Sequence, residues 1–261
     1  ALSYQGVIGG GNSNTATGRT AVVVGGYSNT VPSDWGYIAG GVGNIVDSPF
    51  CAIHGGRSNS VTGTASVVGG GQTNTVFSPF GSVGGGNANA AVGYASIIGG
   101  GDANTALTSF SVVGGGSGNR VDANVASIIG GAMNAVYNDV GTINGGTQNF
   151  VYAYGSTIGG GNASFINGTA YGGTIGAGSN NAIVTGSYPA ITGGQQNTAF
   201  SPFTTIVGGA QNLISGYAAT IGGGIDNTVD AVFGEFEFCI LLLLTFVNLR
   251  MWVSIYLVVL S

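Results

Sequence analysis

The sequence predicts an all-β protein, a parallel β-solenoid of about fifteen coils with about 15 residues each, followed by a hydrophobic C-terminal segment. Three observations predict this fold: a countable repeat, a composition rich in glycine and β-branched residues, and one apolar position shared by every repeat. The 261 residues include 53 glycines, and only 5% are charged. Because 44% of the chain is hydrophobic, we expect it to bury a core and not to be disordered.

The repeat reads Ile/Val-x-Gly-Gly-x-x-Asn-x-Val/Ala, and its asparagine marks the period. From Asn14 to Asn149 this residue recurs every 15 positions, and Ser164 keeps the phase in the next coil. Two extra residues then precede Asn181 and one more precedes Asn197, so we expect irregular coils at about 165–190. The predicted asparagine ladder is Asn14, Asn29, Asn44, Asn59, Asn74, Asn89, Asn104, Asn119, Asn134, Asn149, Asn181, Asn197, Asn212 and Asn227.

The length of the unit selects the architecture. It is too short for two helices and a turn, and its β-branched and glycine residues disfavour a helix. At about 3.3 Å per extended residue, one unit forms a loop of about 50 Å that can close around a single layer of side chains. We therefore expect the coils to stack at about 4.8 Å, giving a rod about 70 Å long.

Each position of the repeat has an expected role. The Ile/Val row that stands two residues before the glycine pair, such as Ile98, is uninterrupted and should point inward. Small residues two positions earlier, such as Ser96, share that face by the alternation of a strand. The glycine pair, as in Gly100 and Gly101, is expected at a corner that needs positive φ or close approach. The asparagine amides are expected to hydrogen-bond up and down the stack.

One corner of the coil alternates large with small residues. The alternation is seen in Ser48-Pro49-Phe50, Gly63-Thr64-Ala65 and Ser78-Pro79-Phe80, and again in Ser201-Pro202-Phe203 and Gly216-Tyr217-Ala218. An aromatic ring that overhangs a neighbouring alanine would fill space between stacked coils, which makes the period 30 residues at this corner. Alternatively, the corner faces solvent and tolerates any residue.

We divide the chain into a β-solenoid repeat domain, 1–233, and a hydrophobic C-terminal segment, 234–261. Residues 238–260 are numerous enough to span a bilayer, which makes a membrane a candidate partner, although Arg250 near the middle of the segment opposes insertion. Two alternatives stay open for this segment. It caps the last coil or joins chains, or it is a stretch translated out of frame.

Composition argues against most chemistry. The chain has no lysine and its four arginines are scattered, so we expect no nucleic-acid partner. The single histidine, His54, is expected on the surface, the aspartates form no repeated row, and the glycine runs lack the lysine of a phosphate-binding loop. We therefore expect no catalytic residues, no cofactor and no metal. Two sequons, at Asn162 and Asn167, are candidate glycosylation sites, although a chain so rich in Asn, Ser and Thr carries some by chance.

The run Ile98-Gly99-Gly100-Gly101-Asp102-Ala103-Asn104 resembles repeats of two kinds. One is the head of trimeric autotransporter adhesins (YadA-like), and the other is the Gly-Asn repeat of tail-fibre-like proteins of phages and large viruses. The resemblance covers about residues 1–233. The sequence departs from the autotransporter pattern in its longer repeat and in lacking a heptad stalk and membrane-barrel strands. The resemblance implies an extracellular, cell-surface or virion-surface fibre, a homo-oligomer such as a trimer, with a cell-surface or glycan receptor.

From these observations we expect a non-enzymatic structural or adhesive fibre protein that associates with itself or attaches to a surface. The alternative is an ice-binding protein that uses a flat Thr/Asn face, because threonine often follows the ladder asparagine. These threonines are Thr15, Thr30, Thr75, Thr105, Thr198 and Thr228. Residues such as Ile45, Ala90 and Arg120 interrupt that row. A carbohydrate lyase or hydrolase is the third alternative, but it needs long carboxylate-bearing loops for which these coils have no room.

Overall fold

The computed structural model describes residues 5–230 and the short strand Ile240–Leu241. Within these residues the protein is all-β, a parallel β-solenoid of about fifteen coils, which confirms the predicted fold class. The chain divides into two compact units, Ala1–Gly146 and Thr147–Ser261. None of the described residues belongs to a helix that is long and apolar enough to cross a membrane. Apart from Ile240–Leu241, the predicted segment 234–261 lies outside the described residues.

In the first unit, every strand is two residues long and pairs in parallel with its counterpart one coil away. The strands of its first sheet are Val7–Ile8, Val22–Val23, Tyr37–Ile38, Ala52–Ile53, Val67–Val68, Ser82–Val83, Ile97–Ile98, Val112–Val113, Ser127–Ile128 and Thr142–Ile143. The strands of its second sheet are Thr15–Ala16, Thr30–Val31, Ile45–Val46, Ser60–Val61, Thr75–Val76, Ala90–Ala91, Thr105–Ala106, Arg120–Val121 and Ala135–Val136. A third line of parallel bridges, as between Asn87 and Asp102, joins the coils between the two sheets.

Alternation within each strand decides what is buried. In the coil around Ile98, the isoleucine side chain is fully buried, whereas its neighbour Ile97 faces outward. Ser96, the small residue two positions before Ile98, is also buried, and so is Ala106 of the second sheet. The same inward positions are buried in the other coils of the first unit, which confirms the predicted Ile/Val row and the small-residue row. Each coil thus encloses one layer of side chains.

The coil closes through three positions with φ between about 50° and 100°. In one coil of the first unit these are Gly101 (φ 98°), Ala103 (φ 53°) and Phe110 (φ 57°). A Cβ atom on Gly101 would lie 2.2 Å from the Gly116 carbonyl oxygen, so close approach and conformation both require glycine there, as predicted. The other two positions are occupied by ordinary residues, whose left-handed backbone costs about 1–2 kcal/mol each. Their N–H groups donate to the preceding coil, which offsets that cost.

The second unit repeats this arrangement. The strands of its first sheet are Thr157–Ile158, Thr174–Ile175, Ala190–Ile191, Thr205–Ile206, Thr220–Ile221 and Ile240–Leu241. The strands of its second sheet are Phe150–Val151, Phe165–Ile166, Ala182–Ile183, Thr198–Ala199, Leu213–Ile214 and Thr228–Val229. All of these strands pair in parallel within the unit.

The irregular coils predicted at about 165–190 belong to the second unit. Thr157 pairs with Thr174, and Thr174 with Ala190, so the register lengthens at these two steps before it returns to 15 residues between Ala190 and Thr205. Both insertions fall at the same corner of the coil, where they form an additional parallel pair of strands, Ala170–Tyr171 and Gly186–Ser187. The core is undisturbed, since Ile175 and Ile191 are fully buried.

Candidate binding strip at the corner of the solenoid

The ladder asparagines are buried and bond mainly to backbone. The Asn104 Nδ2 atom donates to the carbonyl oxygens of Gly100 (3.0 Å) and Gly116 (2.9 Å). Its Oδ1 atom accepts the backbone N–H of Asn119 in the next coil at 3.0 Å. The asparagine positions from Asn29 onward are buried, whereas Asn14 is partly exposed. Amide-to-amide bonds, such as Asn44 Nδ2 to Asn29 Oδ1 at 3.1 Å, occur in several coils as a supplement to the backbone contacts.

Ser164 takes the asparagine position in one coil of the second unit. Its backbone N–H donates to Asn149 Oδ1 at 3.0 Å, and its hydroxyl oxygen accepts the N–H of Asn181 at 3.3 Å. The chain of bonds therefore continues through the serine. Serine, however, has no amide nitrogen. The Gly178 carbonyl oxygen accepts the backbone N–H of Asn162 but no side-chain N–H of the described residues, whereas the equivalent carbonyl oxygens in other coils, such as that of Gly131, also accept an asparagine Nδ2–H.

The corner with the insertions carries a row of exposed aromatic rings, which we call the aromatic row: Tyr154, Tyr171, Tyr188, Phe203 and Tyr217. Successive ring centroids lie 5.5, 5.4, 6.0 and 5.7 Å apart. Each residue is about half exposed, from 45% to 56%. Tyr171 ends one of the additional strands at this corner and Tyr188 directly follows the other. Gly172 makes room for one of the rings, because a Cβ atom there would lie 2.7 Å from Tyr188 Cδ1.

A row of hydroxyl groups runs two or three residues before the rings, and we call it the hydroxyl row: Thr169, Thr185, Ser201 and Ser215. Thr169 Oγ1 donates to the Val184 carbonyl oxygen at 2.8 Å. Thr185 donates to the Phe200 carbonyl and Ser201 to the Ser215 carbonyl. Ser215 Oγ lies 2.6 Å from Asp230 Oδ1, to which it donates. The hydroxyl and aromatic rows together form an amphipathic strip.

The same corner of the first unit carries shorter clusters. The Trp35 and Phe50 rings stack at 4.8 Å, with the Arg19 guanidinium 5.9 Å from the Trp35 centroid. Tyr94 lies between Phe80 and Phe110, at 5.5 and 5.6 Å. No ring contact joins Phe50 to Phe80 among the described residues, since Thr64 and Ala65 occupy the intervening coil. The alternation of large and small residues therefore accompanies ring-to-ring contacts across coils, which the sequence pattern did not predict.

An open groove lies on another face of the second unit. Gln148, Phe150, Tyr152, Ala163 and Phe165 line a volume of about 500 Å³. The Phe150 and Tyr152 rings are 6.3 Å apart and nearly parallel. The groove is shallow and broadly open to solvent, so it offers less enclosure than a typical small-molecule site.

The structure separates the other residues singled out from the sequence. His54 is exposed, and its ring lies 6.3 Å from that of Tyr37. Asn162 is exposed, but Ser164 of its sequon is buried. In the second sequon, Asn167, Gly168 and Thr169 are all exposed on the inserted corner. The part of the chain that the structure describes holds no group of three or more His, Cys, Asp or Glu residues placed to bind a metal ion.

Charged residues are sparse in the part of the second unit between residues 147 and 230. Between residues 147 and 230 the charged residues are Asp226 and Asp230. The aromatic row from Tyr154 to Phe203 thus lies on a stretch of chain without a charged side chain. Sequence reasoning found Phe203 and Tyr217 at this corner but missed Tyr154, Tyr171 and Tyr188. The insertions shift the spacing of Tyr171 and Tyr188, whereas Tyr154 keeps the 15-residue register of Tyr94. An aromatic next to glycine or serine at each corner was the signal that could have found them.

No protein-family model matches the chain, and no curated protein is significantly similar to it.

Proposed function

We propose that this chain is a non-enzymatic structural or adhesive fibre protein of an extracellular, cell or virion surface, which attaches to a surface or associates with itself. The observation that carries the proposal is the amphipathic strip of the second unit, where five aromatic rings are about half exposed in successive coils. Exposed contiguous apolar surface of this kind is typical of interaction sites.

The way the chain uses its polar groups supports this proposal. In each coil, backbone N–H and C=O groups bond to neighbouring coils, as Ile97 N–H does to the Ser111 carbonyl and Gly99 N–H to the Val113 carbonyl. The buried asparagine side chains also bond to neighbouring groups, as Asn104 does through both Nδ2 and Oδ1. These contacts fix a rigid scaffold that presents its outer surface repeatedly, which is how repeat proteins build extended binding surfaces.

Self-association, for example as a trimer, is supported by the outer face of the first unit. Val67, Ile97 and Val112 face outward from its first sheet and are 37%, 45% and 36% exposed. Ser82 holds the same outward position in the coil between those of Val67 and Ile97. A flat face with large apolar side chains is a natural surface for a second copy of the chain.

The proposal is tested by light scattering over a range of concentrations together with adsorption of the full chain to immobilised polysaccharides and to cell-surface preparations. We expect a defined oligomer, retention on at least one surface, or both. A compact monomer that binds no surface, no glycan and no second copy would overturn the proposal.

Ice binding is the second candidate, and one observation favours it. The outward positions of the first sheet in the second unit are Thr157, Thr174, Ala190, Thr205 and Thr220. This row is more continuous than the threonines after the ladder asparagines, and all five residues are at least partly exposed. Thermal hysteresis in concentrated protein would support ice binding, and freezing without hysteresis would eliminate it.

A further inference from the structure

We propose that the amphipathic strip of the second unit binds an uncharged polysaccharide chain that lies along the aromatic row. The inference rests on the proposed attachment function and names the ligand class of that function. Four features of the strip carry it: the orientation of the rings, the adjoining hydroxyl groups, the absence of positive charge and the size of the exposed surface.

The faces of the five rings cannot all be covered by neighbouring rings. The Tyr154 and Tyr171 planes differ by 13°, whereas Tyr171 and Tyr188 are at 86°. Tyr188 and Phe203 are again nearly parallel, at 25°. The ring planes of the Tyr154–Tyr171 pair are therefore almost perpendicular to those of the Tyr188–Phe203 pair. The ring normals of both pairs cannot run along the row, so at least one pair turns its faces away from its neighbours in the row. An aromatic face is electron-rich and attracts the C–H groups of a sugar ring.

The hydroxyl row supplies the polar half of the site. Thr169, Thr185 and Ser201 each give their hydrogen to a carbonyl oxygen of the next coil. Each hydroxyl oxygen keeps acceptor lone pairs, which the hydroxyl groups of a sugar can use. One ring and one hydroxyl recur in successive coils, so the strip matches a ligand that itself repeats an apolar face and polar edges.

The scarcity of charged residues around the strip favours an uncharged ligand. No charged residue occurs from 147 to 225, so the strip offers nothing to neutralise a phosphate, sulfate or carboxylate. An anionic polysaccharide or a nucleic acid would lose hydration at the strip without gaining an ion pair. A neutral sugar loses no ion hydration there.

The exposed area favours a chain-like ligand over a second copy of this protein. An aromatic side chain buries about 150–250 Å² when fully covered, so five half-exposed rings offer about 500 Å². A stable protein interface needs about 800 Å² from each partner. The ring positions are also set by the backbone, as Gly172 shows for Tyr188. A site ordered in advance binds a narrow ligand with little further loss of entropy.

The test is calorimetric titration of the full chain with cello-oligosaccharides and fully N-acetylated chito-oligosaccharides, which are straight and uncharged, and with heparin oligosaccharides as the charged probe. We expect binding to at least one of the neutral probes and none to heparin. Tyr171→Ser and Tyr188→Ser should each weaken neutral-sugar binding about tenfold, in keeping with the loss of one stacking ring.

The matched control is Phe80→Ser, which removes an equally exposed ring from the same corner of the first unit. It should leave the affinity unchanged. Tyr188→Leu keeps an apolar side chain without a ring, and it should weaken binding while the melting temperature stays near that of the parent protein. Binding to heparin alone, no binding to any probe, or equal losses in the Phe80 and Tyr188 variants would overturn the inference. Retention on a cell surface despite such a result would leave the proposed attachment function standing.

Discussion

The Oδ1 atom of Asn104 accepts the backbone N–H of Asn119, one coil further along, at 3.0 Å. Because both residues are buried, this bond joins two coils where water cannot substitute for either partner. An unpaired buried polar group costs about 1–3 kcal/mol. Equivalent bonds join the asparagines of the neighbouring coils, so the loss of one ladder asparagine leaves a buried group of the next coil unpaired.

Replacing Asn104 with alanine should destabilise the protein by about 3 kcal/mol, because the Gly100 carbonyl loses its side-chain donor and the Asn119 N–H loses its acceptor. Urea unfolding followed by circular dichroism measures the change. The control is Asn87→Ala, since Asn87 is exposed and bonds to Asp102 at the surface. We expect that variant to remain within about 0.5 kcal/mol of the parent protein. Equal losses in the two variants would contradict the role of the ladder.

Restoring asparagine at position 164 should stabilise the second unit. In Ser164→Asn, the new Nδ2 group can donate to the Gly178 carbonyl, whose counterparts receive such a donor in other coils. One additional buried hydrogen bond contributes about 1 kcal/mol. The melting temperature should therefore rise. A fall would show that the serine coil cannot accommodate an amide.

Two adjacent glycines should respond differently to the same change. Gly116 has φ 91°, and a Cβ atom there would lie 2.0 Å from the Gly131 carbonyl oxygen, so Gly116→Ala should cost more than about 2 kcal/mol. A Cβ atom on Gly115 would lie 3.9 Å from its nearest neighbour, the Gly100 carbonyl oxygen. Gly115→Ala should be nearly neutral, because the new methyl group would be at an ordinary van der Waals distance from its nearest neighbour. Thermal unfolding of both variants checks this difference.

The Cys51 thiol should be unreactive until the protein unfolds. Desolvation by burial raises the pKa of Cys51 above its ordinary value and outweighs the lowering effect of backbone hydrogen bonds from Ser66 and Ala65. The folded state therefore favours the protonated thiol. Its contribution to stability is full below the ordinary thiol pKa and is lost as pH rises through the raised value. In a Cys239→Ser background, a thiol reagent at pH about 8 should label Cys51 only after urea is added. Rapid labelling without urea would contradict the buried position.

Deletions should be tolerated only in register. Removing residues 60–89 joins Asn59 to Ala90, which occupies the same sheet position as Ser60, and should leave a shorter folded protein. Removing residues 60–66 joins Asn59 to Val67, which belongs to the other sheet, and should abolish the cooperative melt. Circular dichroism during heating compares the two. Similar damage from both deletions would argue against coils that act as equivalent units.

Much of the fold was predictable because the repeat is short and strict. The 15-residue spacing of residues such as Asn74 and Asn89 predicts a coil, and alternation places Val83 inside. The insertions after Ser164 were visible as a shift in phase. The positive φ at Ala103 and Phe110 was not predictable, since neither residue is a type that favours the left-handed region. Hydrogen bonds to neighbouring coils impose that conformation, and they do not exist in an isolated coil.

The sequence alone determined the period, the parallel stacking of coils, the inward rows and the place where the register lengthens. These depend on residue type and spacing within one coil. Only the tertiary structure decided that Tyr154, Tyr171, Tyr188 and Phe203 form one row beside a row of hydroxyl groups. Those residues stand at unequal spacings, and they meet because successive coils turn at the same corner, which is also where the inserted residues leave the core path. Contact between coils depends on where the backbone turns each side chain, which the repeat pattern does not encode.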